Sequence, residues 1–360
     1  MASRAVVQGE GRAPAASGAA RAAGRLLFVD NIRVLLTILV ILHHLTVIYT
    51  GSGGWIWSEG REDEISNILG SWFCAVNQSY FMGLFLLISA YFVPGSYDRK
   101  GPVRFFVDRL IRLGIPLALY GWVVRPLWIY FVLNWRESMP FWGWYRRFYF
   151  GAYDFLGGGP LWFVETLLIF SLMYVLVRVL TSSRPPRPVA EAGFPGNRWL
   201  ILFALVVGVA TFLVRLAFPA GWRFEPLNLQ FPWFAQYIAL FGAGLVAYRR
   251  NWLLALPDRQ GRQWLWVAVA LIFLFAAIGL AAGDSTDLFA GGGNWPAMIY
   301  AQWEAFMCVG ACISLVYLFR RRWDRQGRLG IELSRAAYGA YLIHEPLITT
   351  AAVLAAGVML

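Results

Sequence analysis

Charged residues are scarce in this sequence. They make up 14% of its 360 residues, against roughly 25% in soluble domains. Hydrophobic residues make up 59%, and the mean hydropathy is +0.56. A chain this long could bury a large core, but its remaining surface could not be solvated, which leaves an integral membrane protein. Cysteine is sparse as well. Cys74, Cys308 and Cys312 all fall in apolar runs. An odd number of thiols inside such runs excludes a disulfide framework and offers no zinc spacing, so they read as buried structural thiols. Lysine is nearly absent, with Lys100 alone beside 30 arginines, which reads as a GC-rich genome rather than as function. The net charge of +11 would suit a nucleic acid. The basic residues lie between apolar runs instead of on one soluble face, and that excludes such a partner. Histidine occurs three times, and two of the three are adjacent at the centre of "RVLLTILVILHHLTVIY".

Residues 1–25 are rich in Ala, Gly and Arg and lack an apolar core of signal-peptide length. They read as a flexible cytoplasmic tail before an uncleaved first helix. Nine apolar runs follow, at about 32–50, 72–93, 111–133, 160–180, 199–218, 231–248, 263–282, 297–319 and 336–358. Each is near the ~20 residues that cross a bilayer core. The expected fold is an all-α polytopic membrane bundle filling residues 26–360, with no internal repeat and no appended soluble domain. With the N-terminus in the cytoplasm, connecting segments on the inside carry 21 Lys and Arg and those on the outside carry 5, an asymmetry that sets the orientation. The aromatic stretch 134–159 reads as an interfacial outer loop with a short surface helix.

Ionisable residues at membrane depth are costly unless they face a protein interior or a water-filled cavity, so they point to function. At ~1.5 Å per residue from the inner end of each run, His44 lies about 18 Å in, Arg125 about 21 Å, and Glu165 and Glu304 about 22 Å. Gln78, Tyr80 and Gln236 share that level. His344 and Glu345 sit shallower, at about 12–14 Å. Such a cluster can be structural, a proton path, a metal site or a general base. Adjacent helical residues point about 100° apart, so His43 and His44 make a poor metal pair. No metal is expected. One imidazole oriented by a carboxylate suffices for a general base. Glu165 and Glu304 are both candidates for that carboxylate, and His43 reads as a packing neighbour. At the inner mouth, "DRKGPVRFFVDRLIRLGIP" places Arg109 and Arg112 at i, i+3, on one helix face. Two guanidiniums there suit a polyphosphate. They also suit plain positive-inside anchoring.

Several stretches together resemble the membrane acyltransferase-3 family. "FVDNIRVLLTILVILHHLTVIY" resembles its Arg-x10-His signature through Arg33 and His44. "RFFVDRLIRLGIP" is similar to its Arg-x-x-Arg motif through Arg109 and Arg112. "LFLLISAYFV" resembles its Phe-x-x-Ser-Gly-Phe/Tyr stretch, with Ala90 where Gly is usual. "GGGPLWFVETLLIF" resembles its Leu-Trp-Phe-x-x-Glu segment through Glu165, and "YGAYLIHEPL" its Tyr-x-x-His-x-Pro stretch. The five occur in order over residues 26–350. The start and the Arg-x-x-Arg region look closest to the branch typified by the membrane-glucan succinylating protein.

The resemblance implies an enzyme of the bacterial cytoplasmic (inner) membrane with ten spans, against the nine counted. Acyl-CoA would be a co-substrate, with no bound cofactor, and the acceptor would be a carbohydrate on the outer side. It implies that His44 is the catalytic base and that Arg33, Arg109 and Arg112 serve the CoA side. Glu165 joins His44 as a catalytic candidate, and His43, Arg125, Glu304 and His344 as supporting or acceptor-side residues. The expected reaction moves an acetyl or succinyl group from acyl-CoA to a glycan or other hydroxyl. A covalent acyl-enzyme is disfavoured, because no Ser or Cys stands at the histidine level. A proton-coupled transporter would also need buried His and Glu, but it predicts inverted repeats. A catalytically silent scaffold predicts that His44 can be replaced without effect.

Overall fold

The computed structural model describes residues 25–50, 54–59, 63–133, 139–147, 158–181, 193–282 and 288–357. Residues 1–24 of the expected tail (1–25) and most of the expected outer loop (134–138 and 148–157) lie outside the described residues. Among those described, regular structure is helical apart from one isolated antiparallel bridge, Phe224 to Leu229. A bilayer demands this, because each backbone N–H and C=O must be satisfied without water.

Helix α1 (Leu27–Thr50) carries the paired histidines. The second apolar run is not one straight rod. It forms α2 (Glu64–Gln78), α3 (Phe81–Tyr91) and α4 (Val93–Lys100), with a break at Ser79 and Tyr80. Side-chain amides tie that break to neighbouring helices. Gln236 Nε2 donates to the Ser79 carbonyl at 2.8 Å, and Asn77 Nδ2 donates to the Leu39 carbonyl at 3.2 Å. Helix α5 (Pro102–Val132) alternates α and π turns, the π segments being Leu110–Gly114, Tyr120–Val124 and Trp128–Val132. Pro116 and Pro126 each follow a π segment by two residues. A proline has no N–H to donate back one turn, so the helix must rewind around it. The short α6 (Phe141–Tyr145) lies within the expected outer loop and buries Trp144 against Trp128 and Tyr130.

The remaining helices are α7 (Trp162–Leu180), α8 (Asn197–Arg215), α9 (Phe234–Arg249), α10 (Trp252–Ala255), α11 (Asp258–Ala282), α12 (Trp295–Arg322) and α13 (Arg328–Ala355). Eight helical segments among the described residues are long and apolar enough to span a membrane. The ninth expected run is α13. Its 28 residues are long enough, but His344, Glu345 and Pro346 dilute its apolar character. Helices α3 and α9 approach closely where Gly244 lies against the Leu87 carbonyl and the buried Ala90, leaving no room for a Cβ. Small residues allow such approach in membrane bundles.

The molecule is apolar outside as well as inside. Leu180, Trp266 and Phe273 are 75%, 70% and 68% exposed, a lipid-facing surface that no soluble monomer would tolerate. One end of the bundle is basic. Helix α12 finishes in Arg320, Arg321 and Arg322, which complement the helix dipole. Arg320 donates to the carbonyls of Leu253, Leu254 and Leu256, and Asn31 ties the start of α1 to the carbonyls of Trp323 and Arg325.

Candidate active site

His44 stands at the junction of two adjoining cavities. One, of about 280 Å³, extends past His43, Gln78, Met82 and Tyr300. The other, of about 370 Å³, extends past Trp55, Arg125, Trp144, Asn228 and Glu345. Their shared wall holds His44, Gly54, Pro160, Trp162, Arg223 and Gln230. Residues 54–59 and 219–230 form a cover at the end opposite the basic one. The Arg223 guanidinium packs on Gly54, and Trp55 stacks on His44 with ring centres 4.3 Å apart. Trp55 Nε1 donates to Thr349 Oγ1 at 2.9 Å, which fixes the indole and so limits rotation of the imidazole beneath it.

The nitrogen partner of His44 is a third histidine, not a carboxylate. His44 Nδ1 lies 2.9 Å from His344 Nε2, with the two rings nearly parallel. His344 Nδ1 lies 2.5 Å from the Tyr341 carbonyl, and Tyr341 Oη donates to the Pro160 carbonyl at 2.5 Å. This corrects two expectations. His344 is not shallower than His44, because α13 starts at Arg328, eight residues before the apolar run. Counted from their helix starts, His44 and His344 are about 25 and 24 Å along. Neither glutamate stands where an orienting carboxylate was expected. Glu304, 1% exposed, binds Arg215 Nη2 at 2.6 Å and Trp233 Nε1 at 2.7 Å. Glu165 is buried in the first turn of α7 and lines neither cavity.

The carboxylate beside the histidines is Glu345. It accepts from Tyr120 Oη at 2.5 Å and from Arg125 Nε at 3.1 Å. In an α-helix, residues five apart lie about 140° around the axis. The i→i+5 pattern of a π turn brings them onto one face, so the π segment at 120–124 presents both Tyr120 and Arg125 to Glu345. Gly159 completes this wall. Its φ of +46° is one that glycine tolerates, and a Cβ there would meet Glu345 Oε2 at 2.8 Å and Arg125 Nε at 2.9 Å.

His43 faces elsewhere, as adjacent helical positions require. It is buried, stacks on Phe81 with ring centres 5.2 Å apart, and has Asn77 Nδ2 3.5 Å from its Nδ1. At the basic end, Arg33 pairs with Asp30 at 3.4 Å and lies over the Phe92 ring. Arg33 and Arg109 are close enough to interact electrostatically. Arg109 and Arg112 are also near enough to interact, but their settings differ. Arg109 packs over Phe105 with its Nε buried, whereas Arg112 is 69% exposed and bonded to Asp108 at 2.9 Å. Eleven residues make three helical turns, so Arg33 lies on the same face of α1 as His44, about 16 Å towards the basic end.

Sequence reasoning missed Trp55, Tyr120, Tyr341, Arg215 and Arg223. Arg215 was legible as an arginine within an apolar run. Tyr341 stands one helical turn before His344 in the quoted stretch. Trp55 and Arg223 belong to connecting segments whose path no periodicity reveals.

No curated protein and no solved structure matches this chain. A family model described as an acyltransferase domain, Acyl_transf_3, matches residues 26–356. The matched region holds the membrane-spanning helices, both cavities and all three histidines, and so this multi-pass helical bundle belongs to the Acyl_transf_3 family of acyltransferases.

Proposed function

We propose that the protein transfers an acyl group, acetyl or succinyl, from cytoplasmic acyl-CoA to a hydroxyl of a glycan or another acceptor on the opposite side of a bacterial inner membrane. The observation that carries this reading is the position of His44. It is a deep imidazole with one nitrogen engaged, set at the junction of two cavities and three turns along one helix face from a basic mouth. In the proposed reaction Arg33, Arg109 and Arg112 hold the CoA phosphates at the cytoplasmic end. The acceptor enters under the cover formed by residues 54–59 and 219–230. His44 takes the acceptor hydroxyl proton as the oxygen attacks the thioester carbonyl. The new C–O bond forms, the C–S bond breaks, and the departing CoA thiolate recovers the proton from His44. The aromatic walls of the larger cavity, Trp55, Trp144 and Trp162, offer flat apolar faces, and Arg125, Asn228 and Glu345 add polar groups. That mixture suits a sugar ring.

Membranes containing the protein, incubated with radiolabelled acetyl-CoA or succinyl-CoA, should yield labelled glycans. Label that stays in CoA and free acid, with the protein folded and inserted, would contradict the proposal.

A further inference from the structure

We infer that His344 is a positioning residue that fixes the tautomer of His44 and thereby aims its basic nitrogen into the cavities. The inference rests on the reading of His44 as the base. A backbone carbonyl can only accept a hydrogen bond, so the 2.5 Å contact to the Tyr341 carbonyl requires a proton on His344 Nδ1. In a neutral imidazole the other nitrogen is then a bare acceptor. His344 Nε2 therefore accepts, and the proton in the 2.9 Å contact belongs to His44 Nδ1. His44 Nε2 is left with its lone pair, and no described residue hydrogen-bonds to it.

The surroundings keep His344 neutral. It is 2% exposed, where an unpaired charge is costly. The neighbouring Glu345 carboxylate is already engaged by Tyr120 and Arg125, so it is not free to pair with an imidazolium. One chain of hydrogen bonds thus runs from the Tyr341 carbonyl through His344 to His44, and the geometry allows one direction for it. During transfer the proton moves from the acceptor hydroxyl to His44 Nε2 and then to the CoA thiolate. The Nδ1 proton stays in place throughout and donates to His344, whose lone pair steadies the transient imidazolium. Without His344 the ring could carry its single proton on Nε2, and in that form it cannot act as the base on the cavity side. An orienting partner that enforces the tautomer in this way is a known requirement of histidine bases.

The chain has three histidines, which makes the test direct. Full-length protein labelled with ¹⁵N-histidine and held in lipid nanodiscs should show His44 protonated at Nδ1 and bare at Nε2 at neutral pH. A scalar coupling should cross the bond to His344 Nε2. His344→Leu should shift His44 towards the Nε2-protonated form. With acetyl-CoA or succinyl-CoA as donor, it should lower kcat about 100-fold while KM for the donor stays within about twofold. His344→Gln, which can still present an acceptor oxygen, should recover to within about tenfold of the wild type. An Nε2-protonated His44 or a doubly protonated His344 in the unaltered protein would overturn the inference. So would a His344→Leu enzyme within threefold of the wild-type kcat. The underlying reading fails separately, by an active His44→Ala protein.

Discussion

Two buried carboxylates in this bundle have nearly the same chemistry and opposite settings. Glu304 is bonded to Arg215 and Trp233, and Arg215 is itself sandwiched at 5.4 and 5.3 Å between the rings of Trp233 and Tyr300. Both charged residues are 1% exposed, and neither lines a described cavity. Glu345 is likewise paired with an arginine, Arg125, and with an aromatic donor, Tyr120. It lines a cavity of about 370 Å³ and follows directly the histidine that bonds His44. A charged residue at membrane depth is therefore not a functional pointer by itself. What separates the two is access. The Glu304 pair joins helices α8 and α12 behind Trp233 and Tyr300, which line the smaller cavity, whereas the Glu345 pair is itself one wall of a cavity.

The comparison can be broken most strongly at His44. Removing a general base costs about 10²–10⁴ in rate, so His44→Ala should abolish measurable transfer while the protein still inserts and binds acyl-CoA. His43→Ala should keep substantial activity, since His43 packs on Phe81 away from the pair of engaged imidazoles. Turnover at matched expression checks both, and a dead His43→Ala beside a live His44→Ala would reverse the assignment. A comparably large effect, on folding instead of chemistry, is expected at Arg215. Removing one partner of a buried pair strands the other charge, at about 3–5 kcal/mol. Arg215→Ala should therefore sharply lower the yield and thermal midpoint of folded protein. An unchanged midpoint would show that the pair is not a structural tie.

Gly159 offers a smaller perturbation of the working wall alone. Alanine at its positive φ adds about 1–2 kcal/mol of strain, and its Cβ would push on both Glu345 and Arg125. Turnover should fall about tenfold from displacement of the site, with the folded yield nearly unchanged. Full turnover in Gly159→Ala would detach the Glu345 pair from function. The smallest effects belong to the basic mouth, where the two arginines should now differ. Arg109→Gln removes an inward-facing, half-buried cation and should raise KM for acyl-CoA about tenfold. Arg112→Gln touches an exposed side chain with a carboxylate partner and should raise it less than about threefold. Equal effects would mean that the exposed Arg112 holds the CoA phosphates as firmly as Arg109 does.

The bundle was legible because apolar runs of bilayer length have few other uses, and the buried ionisable residues stood out against them. Their pairing was not legible. Depth counted from the first apolar residue placed His344 too shallow, since α13 begins in a polar stretch at Arg328. That Arg109 would be part-buried and Arg112 exposed was not legible, because the π winding of α5 departs from 3.6 residues per turn. Pro116 and Pro126 were the available signal for that winding. The same winding joins Tyr120 and Arg125, which an α-helical reading would separate. The break at Ser79 and Tyr80 falls in the polar run Asn77–Tyr80, but the distant Gln236 that satisfies the Ser79 carbonyl was not legible. Glu304 looked functional because its partner, Arg215, lies 89 residues away in sequence, with no spacing that links the two.

The division between a working carboxylate cluster and a holding one is tested most directly by turnover per folded molecule in two variants prepared side by side. One is His44→Ala. The other is the double substitution Arg215→Met with Glu304→Leu, which removes both charges together and replaces them with apolar bulk, a change buried pairs often accept. The account predicts that His44→Ala is folded and inactive, while the double variant is folded and transfers the acyl group at close to the wild-type rate per molecule. A folded but inactive double variant, or a His44→Ala protein within threefold of the wild type, would contradict it.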